Sequence, residues 1–474
     1  MTSSPDTKTP TYDELREELG RVRREFADYR VRTQKEIAEL KALVETLTRR
    51  RHRQAAPFSR ENPSPKPKPP GRKRGKKHGP HAHRAIPEKI DDVIEVPLPA
   101  CCPNCESPAL TQTDTATQYQ SEIVTQVIVR QFNISLGHCG ACGESVRGRH
   151  ELQTSDALGA AGSQFGANVH KSLAIMNKEL GLPLGKCRRL LLMLFPQLTM
   201  ARATVYRSTA RTASRLERAY EGLRQDVRGS PLVSPDETGM RIGGGKGWMH
   251  VAVGSGGERP ATVYETIAER DSSFIVKLLG LDWRGHLIRD GWSPYNALTQ
   301  ARHQMCLQHI QRRCRGLLET AKGLARGLGT RLLSLIDEAF AIRRAGRGHR
   351  LNKVERIAQA WTLFDRWNEL LSGRWTYDPN RKLAKHLNSH DATEWFSFLL
   401  FPKVPATNYL SEQAIRPAVV NRKVWGGFRT AAGARVGSVL TSVIATCKQR
   451  LFEPANLLRE ALCSPIPLLV PAGR

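Results

Sequence analysis

Residues 49–84 constrain the fold more than any other part of this chain. The segment holds 13 Lys or Arg residues and seven prolines, but a single acid, Glu61. A stretch of this composition cannot bury a hydrophobic core, and we expect it to be disordered. The chain must therefore fold as separate parts on either side of a basic linker, which we assign to residues 57–95.

The charge of the whole chain points to a polyanionic partner. The 474 residues carry a formal net charge of +28. An enzyme of small metabolites does not need this excess, whereas double-stranded DNA favours it, because each neutralised phosphate releases counterions. A solvated linker on a basic surface is the alternative. We expect the linker to contact DNA through its most basic run, Arg72, Lys73, Arg74, Lys76 and Lys77.

The N-terminal region, residues 1–56, has the pattern of a coiled-coil helix. Apolar or Thr positions step by four and three and resume after one extra four-residue step: Leu15, Leu19, Val22, Phe26, Tyr29, Thr33, then Ile37, Leu40, Val44 and Leu47. This pattern predicts a zipper-like helix that makes a homo-oligomer. The alternative is an amphipathic helix packed on its own chain.

We expect a cytoplasmic protein associated with the chromosome and no membrane partner. The first residues, MTSSPDTKTP, lack the apolar stretch of a secretory signal. The longest purely apolar run, Leu190–Phe195, is far too short to span a bilayer. Cysteines in such a protein favour metal binding over disulfides.

Residues 96–150 predict a zinc ribbon. Two C-x-x-C pairs, Cys102 with Cys105 and Cys139 with Cys142, offer four thiolates for one structural Zn²⁺. The stretch 123–132 between them alternates as β-strands do. A redox pair is the alternative chemistry, and the adjacent Cys101 is an alternative to Cys102 as a ligand.

Residues 151–228 predict a helical DNA-binding region. Three helices are expected, at about 164–180, at 186–195 and from about residue 201 onward. The third carries Arg202 and Arg207 on its early turns, as in a helix-turn-helix reader of DNA. Packing of three helices without DNA gives the same pattern.

Residues 229–450 predict an α/β catalytic domain. Three strands precede a helix at 272–279, and a buried strand at Leu287 and Ile288 then ends at Asp290. This order is that of a ribonuclease H-like core, in which the carboxylates of the first and fourth strands meet, here Asp236 and Asp290. Alternation along a strand points the neighbouring Glu237 to the other face. The glycine-rich loop 243–247 lacks the spacing of a phosphate-binding loop.

A third acid is expected from a helix near residue 410. Glu412 lies one turn into that helix, beside a basic strip formed by Arg416, Arg422, Lys423 and Arg429. Residues 310–400 predict a mostly helical insertion, and residues 451–474 a C-terminal tail. The fold class is therefore multidomain α+β: a coiled-coil helix, a zinc ribbon and a helical DNA-binding region, then a ribonuclease H-like core with a helical insertion.

Four motifs in order give the chain a family resemblance. DET at 236–238, RDGWSPYN at 289–296, HQMCLQH at 303–309 and TNYLSEQAIRPAVVNRKVWGGFRT at 407–430 resemble the large transposase of insertion-sequence family sixty-six. The resemblance implies that Asp236, Asp290 and Glu412 are a DDE triad. It implies companion proteins from the same element, and it leaves open the role of Cys306 and His309, for which packing is the alternative. A glutamine stands before His309, where this family more often has tryptophan.

Phosphodiester chemistry accounts for the three acids. Two Mg²⁺ (or Mn²⁺) ions prefer carboxylate oxygens and serve the attacking and leaving oxygens of an in-line displacement. Asp236 would contact both ions, and Asp290 and Glu412 one each. Two other functions remain open: a zinc-dependent DNA-binding regulator with an inactive core, and a nuclease that cleaves DNA without strand transfer.

Overall fold

The chain is described by a computed structural model that covers residues 12–52, 86–158 and 164–472. It divides into two units, Met1–Glu122 and Ile123–Arg474, each of which is treated separately. About half of the residues are helical and the main sheet is mixed, so the protein is α+β, as predicted. None of the described helices is long and apolar enough to cross a membrane.

The first unit contains one long helix, α1 (Tyr12–His52). Large apolar side chains of the zipper pattern, among them Leu19, Val22, Phe26 and Tyr29, are exposed along it. In the other described part of this unit, residues 86–122 form neither helix nor strand.

The second unit begins with an irregular stretch and a short hairpin. Strands β1 (Leu136–His138) and β2 (Ser145–Arg147) pair antiparallel and enclose the second C-x-x-C pair. The alternating stretch 123–132 forms no strand, although its pattern suggested one. Val124 and Val129 are 89% and 92% exposed, so the alternation has no apolar surface to cover and gives no strand.

Four helices precede the sheet: α2 (Ala167–Ala174), continued by a π-helical turn at Ile175–Glu179, then α3 (Leu184–Leu194), α4 (Arg202–Arg215) and α5 (Glu217–Arg228). The first three occupy the positions predicted from the sequence. They share a small apolar cluster that includes Leu173, Leu191 and Val205. Helix α5 belongs instead to the main core, through Leu223 and Val227.

A five-stranded sheet organises the rest of the unit. Its strands are β3 (Leu232–Gly239), β5 (Trp248–Ser255), β6 (Ala261–Ile267), β7 (His286–Arg289) and β8 (Arg302–Met305), in the order β6-β5-β3-β7-β8. The first three form an antiparallel meander, whereas β7 and β8 run parallel to β3. Strand β3 therefore lies at the centre, where the direction of pairing changes.

Both faces of the sheet are covered by helices. Helices α5, α6 (Ser273–Leu279) and α13 (Ala431–Gln449) cover the face that carries Val233 and Ala252. Helix α12 (Tyr409–Trp425) packs on the opposite face, against Val251 and Val253 of β5. The sequence did not reveal β8 or the two-residue bridge of β4 (Arg241–Ile242) with β9 (Gly427–Phe428).

Five helices lie between β8 and α12, in the span expected to be a helical insertion. They pack around Trp367 and Trp395, which are almost fully buried. The same cluster includes Ile288 of β7 and Met305 of β8, so these helices pack on the parallel half of the sheet. They are α7 (Leu307–Thr320), α8 (Gly327–Arg347), α9 (Lys353–Ser372), α10 (Asp378–Leu387) and α11 (Ala392–Leu400).

The C-terminal residues add to the main core. The segment 451–474, which the sequence suggested as a tail, contains helix α14 (Pro454–Cys463). Leu457 and Leu458 of this helix, together with Val470, are buried among residues of the sheet and of α13. The region 229–450 is thus packed against residues beyond 450.

Hydroxyl groups of α13 accept hydrogen bonds from the backbone of β6, the strand at one edge of the sheet. The backbone N–H groups of Thr262, Tyr264 and Thr266 on β6 donate to side chains one helical turn apart on α13. The acceptors are Thr446, Ser442 and Ser438, at 2.8–3.0 Å. An edge strand that would otherwise offer unpaired N–H groups is closed in this way.

We predict that Ser442→Ala destabilises the second unit by about 1–3 kcal/mol, because the buried N–H of Tyr264 loses its acceptor. Urea unfolding and hydrogen exchange of the β6 amides measure this loss. Thr441→Ala, on the half-buried neighbouring position of the same helix, is the matched control and should change stability by no more than about 0.5 kcal/mol. Equal stability of the two variants would contradict the role of the hydroxyl.

Candidate active site

Asp236 lies on the central strand, on the face that α12 covers. It pairs with Val251 of β5, and only residues 232 and 233 of β3 pair with β7, so the β7 side of β3 is open at Asp236. The Oδ1 atom accepts a hydrogen bond of 2.8 Å from the backbone N–H of Glu237. This bond fixes the orientation of the carboxylate.

Asp290 follows β7 directly, at the carboxyl end of that strand. Its Oδ1 accepts from the backbone N–H of Trp292 at 3.0 Å, which closes a turn before the 3₁₀ helix at Ser293–Ala297. Arg289 stabilises this turn, because its buried guanidinium donates to the carbonyl of Asp290 and to the side chain of Asn296. After this short helix the chain passes into β8.

Glu412 comes to the site on the first turn of α12, although the sequence separates it widely from the two aspartates. Asn408 and Ser411 both donate to the carbonyl oxygen of Pro235, at 2.9 and 3.1 Å. The single hydroxyl proton of Ser411 is shared between this carbonyl oxygen and Asn408 Oδ1, which lies 2.6 Å from the hydroxyl oxygen. Because Pro235 precedes Asp236, these bonds fix the start of α12 against the strand that carries the first acid.

Burial and neighbouring negative charges both raise the pKa of Asp236. Burial, as the largest cause, raises the pKa of Asp236 from 3.8 to about 7, against the lowering by its hydrogen bond from Glu237. The negative charges of Glu237, Asp290 and Glu412 raise this pKa further. The structure therefore brings the three predicted acids to one end of the sheet, where negative charge is concentrated and unfavourable without a cation.

A fourth acid, Glu237, is neutralised within the fold. Its side chain is 4% exposed, pairs with Arg270 at 3.0 Å and accepts from the hydroxyl of Tyr295 at 3.0 Å. Burial raises its pKa, and the bond from Arg270 lowers it. Arg270 in turn stacks on Trp248 and Trp292. Sequence reasoning missed Arg270 entirely, whereas Tyr295 lies in the RDGWSPYN motif and could have been found there.

Cys306 and His309 also lie at this site. The Cys306 Sγ, a ring nitrogen of His309 and a carboxylate oxygen of Glu412 are all within 4.8 Å of one another. His309 Nε2 lies 3.8 Å from Glu412 Oε1. The backbone N–H of Asn408 donates to Cys306 Sγ at 3.3 Å. Cys306 is buried, and both residues lie beside Glu412.

The predicted DNA-contacting residues differ in their surroundings. Arg202 and Arg207 on α4, Arg416 and Lys423 on α12, and Arg429 are exposed. Arg422 is half-buried, and its Nη1 donates to Thr238 Oγ1 and to the carbonyl of Gly239, both at 2.8 Å. These bonds join α12 to β3. The predicted linker contacts, Arg72, Lys73, Arg74, Lys76 and Lys77, lie outside the described residues.

Each cysteine pair forms its own tight turn. Backbone N–H groups of Asn104 and Cys105 lower the pKa of Cys102, and those of Cys142 and Ala141 lower the pKa of Cys139. The backbone N–H of Glu106 closes the first turn on the carbonyl of Cys102, and that of Gly143 closes the second on Cys139. Turns of this kind stabilise thiolates, the form that binds metals.

The raised pKa of Asp236 predicts a pH-dependent stability. Because the folded-state value of about 7 exceeds the ordinary value of 3.8, ionisation destabilises the fold progressively as the pH rises from about 4 to 7. Without added divalent ions, we therefore expect Asp236→Asn to melt at a higher temperature than the wild-type chain at pH 8. The two chains should melt alike near pH 4. A difference that does not depend on pH would contradict this assignment.

Comparison with known proteins identifies the family. Residues 162–436 match the transposase IS66 family, which is more than half of the chain and includes Asp236, Asp290 and Glu412. No curated protein matches the chain. The C-x-x-C pairs and α1 precede the matched region. The order of motifs along the sequence had indicated the same family, and the chain belongs to the transposase IS66 family.

Proposed function

We propose that this chain is the transposase of an insertion sequence, which binds the ends of the element and catalyses DNA cleavage and strand transfer. The supporting observation is the convergence of three acids, from β3, from the end of β7 and from α12, within the region that matches the transposase family. Asp236, Asp290 and Glu412 are the proposed catalytic residues.

The sheet supports a ribonuclease H-like core. Its first strand, β3, lies between the second strand, which is antiparallel to it, and the fourth, which is parallel. The fifth strand lies outside the fourth, and the third outside the second. In this arrangement the first and fourth strands place their acids side by side, which fits Asp236 and Asp290.

The donor set fits hard divalent cations. Within the described residues, no Lys or Arg forms a salt bridge with the carboxylate of Asp236, Asp290 or Glu412, whereas Glu237 already has Arg270 as its partner. Burial, and after it the charges of the neighbouring acids, raise the pKa of Asp236, and a bound cation would stabilise its ionised form. Mg²⁺ or Mn²⁺ bound there would neutralise the charge that develops on the phosphate.

The protein's own residues orient the site. Backbone N–H groups of Glu237 and Trp292 hold one oxygen of Asp236 and of Asp290, respectively. Asn408 and Ser411 hold the start of α12, and thereby Glu412, against β3. This preorganisation places the phosphodiester in line with an attacking water for cleavage, and with the freed 3′-hydroxyl for strand transfer.

Exposed cations provide the proposed DNA surface. Arg416, Lys423 and Arg429 follow Glu412 along α12 and the turn after it, so a phosphate backbone that reaches the acids also meets these side chains. Arg202 and Arg207 would contact DNA from the first turns of α4. The basic linker would add contacts that do not depend on sequence.

The N-terminal regions complete the proposed organisation. Residues 1–56 form a coiled coil that joins copies of the chain, which fits the exposed apolar side chains of α1. Residues 57–95 are a linker, 96–150 a zinc ribbon, 151–228 a DNA-binding region, and 229–450 the catalytic domain. Companion proteins of the element assist the reaction.

The zinc ribbon gives a direct prediction. Purified protein should retain about one Zn²⁺ per chain after dialysis against a weak chelator, because four thiolates form a closed site. Cys139→Ser combined with Cys142→Ser should remove this zinc, as measured by metal analysis. Cys187→Ser, at a buried cysteine outside the ribbon, is the control. A double variant that keeps its full zinc content would refute the ligand assignment.

The triad gives the prediction that decides the function. Asp236→Asn, Asp290→Asn and Glu412→Gln should each reduce strand transfer by about 10³-fold or more, since each removes a cation-binding charge at nearly constant shape. Binding to the ends of the element should persist. The assay joins a pre-cut end to plasmid DNA in Mg²⁺ or Mn²⁺, with Ca²⁺ as the inactive ion and companion proteins supplied.

Asp282→Asn is the matched control, because this acid is 83% exposed and lies on the same unit. It should join DNA at the wild-type rate. If Glu412→Gln also joins at that rate, the third acid is wrong. Cleaved but unjoined ends from the wild-type chain would favour a nuclease, and end binding without any cleavage would favour a regulator.

A further inference from the structure

A second group of potential metal ligands lies beside the acids. Cys306 Sγ, a nitrogen of His309 and an oxygen of Glu412 are mutually within 4.8 Å, and they are the one such group of three found in the described parts of the chain. Cys306 is buried, and the other two side chains are 34% and 24% exposed. The group therefore opens to solvent on one side.

Two helix starts hold this group in place. Cys306 immediately precedes α7, with its N–H bonded to the carbonyl of Arg289 at 2.8 Å, and His309 lies on the first turn. Glu412 lies on the first turn of α12. The amino-terminal ends of both helices favour negative charge. Burial nevertheless raises the pKa of the Cys306 thiol, so a bound cation is needed to stabilise the thiolate.

The group is incomplete as it stands. His309 Nδ1 is buried and has no hydrogen-bond partner among the described residues, whereas Nε2 is 3.8 Å from Glu412, too far for a hydrogen bond. A metal ion among the three groups would bind Nε2, the ring nitrogen that lies beside Glu412, and so give this nitrogen a partner.

The donor types select the ion. Thiolate, imidazole and carboxylate are ligands of Zn²⁺, which takes three protein ligands and an open fourth position, whereas Mg²⁺ prefers oxygen alone. We propose that Cys306, His309 and Glu412 bind Zn²⁺ or a similar borderline-soft divalent ion. On binding, the Cys306 thiol loses its proton to solvent and forms the sulfur–metal bond.

Sharing of Glu412 makes this site a competitor of the catalytic ions. A glutamate oxygen that binds the softer ion beside Cys306 is withdrawn from the hard ion that Glu412 would share with Asp236. Zinc at the second site therefore inhibits strand transfer. This consequence rests on the proposed function, but the binding itself does not.

The binding test uses the full chain with zinc retained in the ribbon, titrated with Co²⁺ and followed by the visible absorption of thiolate-bound Co²⁺. We expect one added Co²⁺ per chain with such a band. Cys306→Ser should abolish the band, and His309→Ala should weaken Co²⁺ binding by about 10-fold or more. Cys314→Ser, a buried cysteine further along α7, and Asp236→Asn should keep it.

A wild-type chain without the band, or a Cys306→Ser chain that retains it, overturns the proposed site. Melting curves exclude loss of folding as the cause in each variant, and His309→Ala tests the site without altering the sulfur. In the joining assay, Zn²⁺ at concentrations that displace Co²⁺ should inhibit the wild-type chain but not Cys306→Ser. Equal inhibition of both, or no joining by Cys306→Ser, overturns the competition and leaves the binding result to stand by itself.

Discussion

The carbonyl oxygen of Pro235 is the point on which the site depends. It accepts hydrogen bonds from both Asn408 and Ser411, so the start of α12 is tied to the central strand one residue before Asp236. Arg422 repeats the connection further along, through Thr238 and the carbonyl of Gly239. Without these bonds, Glu412 would have no defined position relative to the aspartates, because five helices separate it from β8 in sequence.

Burial of a carboxylate close to other acids then determines what the site requires. Asp236 is poorly solvated and faces other negative charges, so its pKa rises to about 7. The protein compensates for Glu237 with Arg270 and Tyr295, but it supplies no such partner to the proposed triad within the described residues. Glu237 is therefore neutralised by its own partners in the fold, whereas the neighbouring Asp236 lacks a positively charged partner and is available to bind a cation.

The sequence predicted local features well and long-range ones only by resemblance. The meander, the strand that ends at Asp290 and the helix that begins near Glu412 all follow from hydrophobic pattern and capping residues. The pairing of β8, the hydroxyl contacts of α13 with β6 and the convergence of Cys306, His309 and Glu412 do not, because each joins residues that are distant along the chain. The stretch 123–132 shows the reverse case: its alternation is real, but Val124 and Val129 are exposed and no strand forms.

Diffraction from crystals of the full chain soaked in Mn²⁺, with the anomalous signal used to locate the ions, tests the central claim most directly. We predict two Mn²⁺ ions at the end of β3, both in contact with Asp236, one with Asp290 and the other with Glu412. Zinc in the ribbon is separated by its own absorption edge. Soaked crystals with no manganese at these three acids, or with manganese held by Glu237 instead, would contradict the account.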